Sequence, residues 1–335
     1  MSGRLEKEMQ FETKCKNLLN KMPRIASTYY VYFKASDSKR TNASCYTYIS
    51  GLHTYLRYLI ANDINPDDYD YYKNVRPADI TVFIDYYRNN GTRTKSTSAV
   101  ALMVNIVKSF YGFLDDNDYI TKNPCARIKP PKANTNVKPV AMTKDEIEKV
   151  RDYILYADKT FYNYDQNEEY WRLRDYLIFT LGCRTGLRCS AIAAIDISDI
   201  NFNESYISVV EKGNYSRNVY IGNNTMEIIK QWIRARYYIL DGKDLNALFV
   251  SRKRNRISNI AIRDMIEKYT SDVIPNKHIT PHKMRSTCAT NLWEETHDIY
   301  MVANQLGHKN LANTKRYTDI AENESRRVAN ILDEL

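Results

Sequence analysis

The sequence predicts a mainly α protein with one small β-sheet, divided into two domains. Three observations carry that expectation. The chain's 335 residues exceed the length of a typical single domain. Apolar residues recur at three- and four-residue intervals through most of both halves, the period of helices that bury one face. Between the halves, "NPCARIKPPKANTNVKPVAMTKDE" (123–146) holds four prolines and several lysines with no periodicity, the composition of a linker.

In chain order, "CYTYISGLHTYLRYLIANDI" (45–64) places Tyr48, Leu52, Tyr55, Leu56 and Leu59 on one helical stripe. "RPADITVFIDYYRNNG" has a Pro and Asp start, an apolar stripe and a closing glycine. "STSAVALMVNIVKSFYGFLDDND" repeats the pattern through Val100, Met103, Val104, Val107 and Phe110. Beyond the linker, Thr143 with Glu146 three residues later forms a capping box that opens the second domain. The helix in "YWRLRDYLIFTLG" is expected to end at Gly182, with a turn at Gly186 before a second apolar segment. "SYISVVEKGNYSRNVYIGN" reads strand, turn, strand, with Lys212 and Gly213 at the tip. Thr280 and Pro281 open a helix through "HKMRSTCATNLWEE". "IYMVANQLGHKN" carries Ile299, Val302, Ala303 and Leu306 on one stripe and stops at Gly307. The tail sets Val328, Ile331, Leu332 and Leu335 on the apolar face of a short helix. The domains expected are an N-terminal extension (1–24), a helical domain (25–130), a linker (131–141) and a second domain (142–335) ending in that tail helix.

The formal charge of +9 favours a polyanionic partner. Six scattered cysteines without CxxC spacing and without a secretory signal argue against a disulfide framework and a zinc site. No apolar run is read as reaching the roughly 20 residues of a membrane span. The expectation is a soluble cytoplasmic protein with no membrane partner.

Basic and imidazole side chains stand beside structural breaks: Arg188 after "TGL", Lys212 at the hairpin tip, His282 and Arg285 in "HKMR", and His308 after "LG". Arg188 is expected in the first turn of a helix, where free N–H groups favour an anion. His282 and Arg285, three apart, share a helical face, and Arg285 borders the stripe of Met284, Cys288 and Leu292. A guanidinium at the rim of a core needs an anionic partner, a carboxylate or a substrate phosphate. Tyr317, nine residues after His308, lies among Lys315, Arg316 and Asp319, a basic and polar neighbourhood.

Taken together, "TGLR", the hairpin "EKG", "HKMR", "LGH" and Tyr317 resemble the tyrosine recombinase family of phage integrases, Xer-type recombinases and transposon integrases. The order and spacing match through the second half, and a helical first half with a linker also suits the family. Residues 1–24 lie outside the resemblance. It implies a SAM-like helical core-binding domain and a catalytic domain that close on DNA as a C-shaped clamp. It further implies that Arg188 and Arg285 hold one phosphate's nonbridging oxygens, a task for planar, permanently charged forks. Tyr317 attacks phosphorus to give a 3′-phosphotyrosine. Lys212 protonates the leaving 5′ oxygen, His308 bonds the phosphate and His282 helps move protons.

One phosphoester replaces another, so no cofactor, ATP or metal is expected. The implied partners are double-stranded DNA with specific recombination sites and further copies of the chain, a tetramer on paired sites; an accessory directionality factor is compatible with this. "TGLRCSAI" departs from the family's "TGLRxSE" by placing Ala191 where an acidic residue is usual, which bears on how firmly Arg188 is held. The reading is a site-specific recombinase, an integrase or excisionase of a mobile element. The alternatives are a non-catalytic architectural DNA-binding protein and a type IB topoisomerase.

Overall fold

The computed structural model describes residues 3–38, 40–132, 139–157, 166–211, 215–308, 310–311, 314 and 317. The chain divides into two compact units, Gly3–Asn134 and Thr135–Leu335. Each has its own core.

The first unit contains six helices among the described residues: α1 (Gly3–Leu19), α2 (Arg24–Ala35), α3 (Asn42–Ala61), α4 (Tyr69–Asn74), α5 (Pro77–Asn89) and α6 (Thr97–Asp116). The starts of α3 and α6 are fixed by side-chain caps, Thr41 accepting from the Ser44 N–H and Ser96 from the Ala99 N–H. Helix α1 belongs to this unit: Cys15 is fully buried, and Glu8 accepts the Asn42 N–H at 2.8 Å, tying α1 to the start of α3.

The core is rich in tyrosine, which is tolerable only where each hydroxyl finds a partner. Tyr55 and Tyr111 share a hydrogen bond of 2.7 Å, Tyr29 donates to Ser109 Oγ at 2.8 Å, and Tyr72 donates to the Pro66 carbonyl at 2.9 Å. Helix α6 is 20 residues long and apolar enough to cross a membrane by length and composition, contrary to the sequence expectation. Val100, Met103, Val107, Phe110 and Leu114 on it are buried in this unit, as in a core helix.

The second unit contains α7 (Lys144–Tyr156), α8 (Glu168–Thr185), α9 (Cys189–Ala194), strands β1 (Ile200–Asn201), β2 (Tyr206–Glu211) and β3 (Tyr215–Tyr220), then α10 (Asn223–Leu240), α11 (Asn259–Val273), α12 (Pro281–Thr296) and α13 (Ile299–Leu306). The strands form an antiparallel sheet in the order β1-β2-β3, with Glu211 opposite Tyr215 at the hairpin's end. The capping box forms: Thr143 Oγ1 accepts the Glu146 N–H, and Glu146 returns the bond to the Thr143 N–H at 2.8 Å.

Helix α8 runs past Gly182 to Thr185, a correction to the expected end. A Cβ on Gly182 would lie 2.1 Å from Met284 Cε, so this glycine admits the close crossing of α8 and α12 rather than ending a helix. The cap is Gly186, left-handed at φ +63°. Charged groups are buried inside this core, Arg174 and Asp175 among them. Asp175 accepts from Arg174 Nε at 2.9 Å and from Tyr269 Oη at 3.1 Å, while Arg174 Nη1 donates to the Val250 carbonyl at 2.8 Å. That network joins α8, α11 and the segment before the basic run 251–256.

Candidate functional site

The end of α8 exposes carbonyls that its own helix cannot satisfy. Three side chains meet them: Cys288 Sγ lies 3.5 Å from the Arg184 carbonyl, Gln305 Nε2 donates to Thr185 O at 3.2 Å, and Arg285 Nη1 donates to Gly186 O at 2.6 Å. Arg285 Nη2 also donates to the carbonyl of Leu306, the last residue of α13.

One guanidinium, 2% exposed, therefore joins the C-terminal ends of two helices. These are the ends that carry partial negative charge, so two main-chain carbonyls are among the polar partners of this buried guanidinium. Arg188 follows Gly186 by two residues, and His308 follows Leu306 by two. Arg285 thereby fixes the points from which both depart.

Arg188 is the N-cap residue of α9, half-buried, one position ahead of the expected first turn. With six residues, α9 has too little length for a large dipole, so local anion affinity must come mainly from the guanidinium itself. Ala191, where an acidic residue was expected, is half-buried against the main core, and its N–H donates to the Arg188 carbonyl at 2.8 Å.

Helix α13 starts at Asp298, whose carboxylate accepts the N–H groups of Tyr300 and Met301, and ends at Gly307, left-handed at φ +64°. His308 is half-buried, its N–H donating to the Ala303 carbonyl at 2.9 Å and its Nδ1 lying 2.8 Å from Thr314 Oγ1. Tyr317 is 4% exposed and packs in an apolar cluster with Ala289, Trp293, Val302 and Leu306. Lys315, Arg316 and Asp319, on which the expected polar setting rests, lie outside the described residues. His282 is exposed in the first turn of α12, one turn before Arg285.

The structure brings Arg285 to the roots of Arg188 and His308, and links His308 to the turn that holds Tyr317. It leaves His282 at the surface. Lys212 lies outside the described residues, as does the apolar stripe of Val328, Ile331, Leu332 and Leu335.

Two residues went unrecognised in the sequence. Arg217 on β3 lies against Gly307, whose added Cβ would be 2.8 Å from Arg217 Nε, and with His308 it lines a cavity of about 460 Å³. Strand alternation was the available signal, since Arg217 shares its face with the buried Val219. Thr314, fully buried, is the second; its place three residues before Tyr317 was the clue. In the basic run 251–256, Arg256 is structural, paired with Asp196 at 2.5 Å, while Arg252, Lys253 and Arg254 are exposed.

Burial raises the thiols beside this site. Cys288 is pushed up to about 11, with the Arg285 and Arg217 charges opposing the rise, and Cys183 is raised further.

Comparison with known proteins follows the same outline. The profile of the phage integrase family matches residues 141–324. The tyrosine recombinase XerC of Haemophilus influenzae is 30% identical over 246 residues, covering 73% of this chain and 77% of the relative. Among solved structures, the XerH site-specific recombinase in a post-cleavage complex with palindromic difH substrate superposes with a TM-score of 0.71 at 19% identity, over 97% of this chain and 89% of that one. The Tn1549 transposon integrase in complex with transposon right end DNA gives 0.64 at 18% identity, over 91% and 99%.

The superpositions define the class by fold, that of the two-domain tyrosine recombinases. The family profile and the XerC match extend this to kinship: the chain belongs to the phage integrase family.

Proposed function

We propose that the chain is a site-specific DNA recombinase that cuts and rejoins DNA through a 3′-phosphotyrosine, serving as the integrase of a mobile element. The observation that carries the reading is the Arg285 fork across Gly186 O and Leu306 O, from which Arg188 and His308 depart on either side. Arg188 and Arg285 then bind the nonbridging oxygens of one phosphodiester and stabilise the pentacoordinate transition state, where each preorganised donor contributes about 3–4 kcal/mol. The Tyr317 oxygen attacks phosphorus, forming a P–O bond as the bond to the 5′ oxygen breaks. Lys212 gives that oxygen its proton, His282 helps carry the phenol's proton away, and His308 donates to the same phosphate. Attack by a 5′ hydroxyl of another strand reverses the chemistry and completes the exchange. Phosphoester replaces phosphoester, so no ATP is consumed.

In this reading the first unit and the linker grip the duplex, four protomers act on paired sites, and the protein works in the compartment that holds its DNA. The exposed Arg252, Lys253 and Arg254 add backbone contacts, so affinity falls steeply with salt.

The test starts by selecting a binding site from a random-sequence duplex pool and building a nicked suicide substrate on it. The full chain should form a denaturant-resistant protein–DNA adduct, and Tyr317→Phe should form none. Persistence of the adduct in that variant would exclude Tyr317 as nucleophile. Binding without an adduct would favour an architectural role, and relaxation of a supercoiled plasmid lacking the selected site would favour a topoisomerase. Repeats flanking the gene would mark the mobile element.

A further inference from the structure

Thr314 stands between the imidazole and the tyrosine, and it bonds to both. Its side chain is fully buried, its Oγ1 lies 2.8 Å from His308 Nδ1, and its carbonyl accepts the Tyr317 N–H at 2.9 Å. Its own N–H donates to Leu311 O at 2.8 Å. The root of the ring is held as well, through the His308 N–H on the Ala303 carbonyl. A buried hydroxyl opposite an imidazole nitrogen pairs with it, because either group would otherwise lose its hydrogen bond to water without replacement.

The direction of that bond decides what the ring can do. If the threonine hydroxyl donates to Nδ1, a neutral imidazole carries its proton on Nε2 and can donate to an anion. If Nδ1–H donates to the hydroxyl, the neutral ring presents a lone pair at Nε2 and repels a phosphate oxygen. On the strand-transfer reading the first arrangement is the one required, because a phosphate oxygen is drawn into the cavity that the ring faces. His308 lines its cavity with Arg217, Asn304 and Gln305, a guanidinium and two amides that can donate. With Nδ1 engaged by Thr314, a phosphate oxygen entering there meets the ring through Nε2.

We infer that Thr314 is a positioning residue: its hydroxyl holds His308 as the Nε2–H tautomer, while its carbonyl holds the turn that carries Tyr317. The consequence for DNA cleavage rests on the strand-transfer reading above; the hold on His308 does not. One residue thereby sets the donor to the phosphate and the approach of the nucleophile together. Valine is nearly isosteric with threonine, so Thr314→Val removes the hydroxyl and leaves both backbone bonds.

The experiment has two arms. Long-range ¹H–¹⁵N spectra of the full-length protein, with His308 assigned through His308→Gln, report the tautomer without DNA. Wild type should show a protonated Nε2, Thr314→Val a mixture of tautomers, and Thr314→Ser the wild-type pattern. On the selected nicked duplex, adduct formation should slow about tenfold in Thr314→Val, part of the roughly 100-fold that loss of a whole donor costs, and return in Thr314→Ser. An Nδ1–H ring in wild type, or an unchanged tautomer in Thr314→Val, overturns the inference. So does a changed tautomer with an unchanged cleavage rate. Absence of an adduct from wild type would overturn the strand-transfer reading instead, while the spectra still decide whether Thr314 holds the ring.

Discussion

Replacing Gly307 with alanine perturbs the joint between α13 and His308, and the structure sets the size of the effect. Gly307 sits at φ +64°, where a residue with a Cβ is strained by about 1–2 kcal/mol. The new methyl would stand 2.8 Å from Arg217 Nε, 3.3 Å from Cδ and 3.4 Å from Cζ. Those atoms are the middle of the side chain, so the whole guanidinium must swing away, at about 0.5–1.5 kcal/mol for an off-rotamer angle. The sum is about 2–3 kcal/mol. For a unit of this length, 1 kcal/mol lowers Tm by about 2–4 °C, so Gly307→Ala should melt about 5–10 °C below wild type. Scanning calorimetry checks the figure. The double variant Gly307→Ala with Arg217→Ala separates the two contributions: it relieves the clash and keeps the backbone strain, so the two substitutions should couple by about 1 kcal/mol in urea unfolding. Equal melting of Gly307→Ala and wild type, or strict additivity in the cycle, would refute the reasoning.

Three further expectations follow from the cores and the thiols. Asp175→Asn leaves Arg174 buried beside a neutral amide and should cost about 3–5 kcal/mol in the urea stability of the second unit; a loss below about 1 kcal/mol would mean that the ion pair contributes little to the fold. In the first unit, burial raises Tyr29, Tyr55, Tyr72 and Tyr111 above the ordinary value of 10.0. The unfolded chain loses these protons first, so their contribution is intact below pH about 10 and is lost as pH rises further. Tyrosinate absorbance and helical circular dichroism should then change together in one alkaline step, and smooth titration of every tyrosine without loss of helix would contradict this. Cys288 and Cys15, both pushed up to about 11 and buried, are protonated at pH 8. An alkylating reagent should therefore reach Cys189, the one cysteine that is not buried, before the other five, as read by peptide mass spectrometry.

Most helices were legible because they bury one face against a solvated surface, and the periodicity of α3, α6 and α13 records that directly. Glycine was legible where it ends a helix in the left-handed region, as at Gly307. Gly182 misled because it serves a different need, making room for Met284 across a helix crossing, and only the partner's position reveals that. The same limit applies to Arg285. Sequence reasoning looks for an anion beside a buried cation and does not foresee that two helix ends also bond it through carbonyls brought together by tertiary packing. Tyr317 was read from Lys315, Arg316 and Asp319, which lie outside the described residues, and its packing with Trp293, Val302 and Leu306 depends on segments distant along the chain. Thr314 and Arg217 were missed because nothing in a threonine or an arginine announces contact with one particular histidine or glycine.

The two parts of the site differ in readiness, and the difference bears on how cutting is controlled. Arg285 is bonded to Gly186 O and Leu306 O, which sets the roots of Arg188 and His308. Donors fixed in advance need no reorganisation when charge develops on a phosphate. Tyr317, in contrast, is 4% exposed among apolar side chains. On the proposed reading its hydroxyl must still reach phosphorus, and it belongs to the turn whose N–H rests on Thr314 O. The rate-governing change is then a movement of the tyrosine-bearing segment rather than assembly of the phosphate-binding groups. Loosening that segment should alter how often cleavage starts, whereas altering Arg285 should alter how fast an already placed tyrosine reacts.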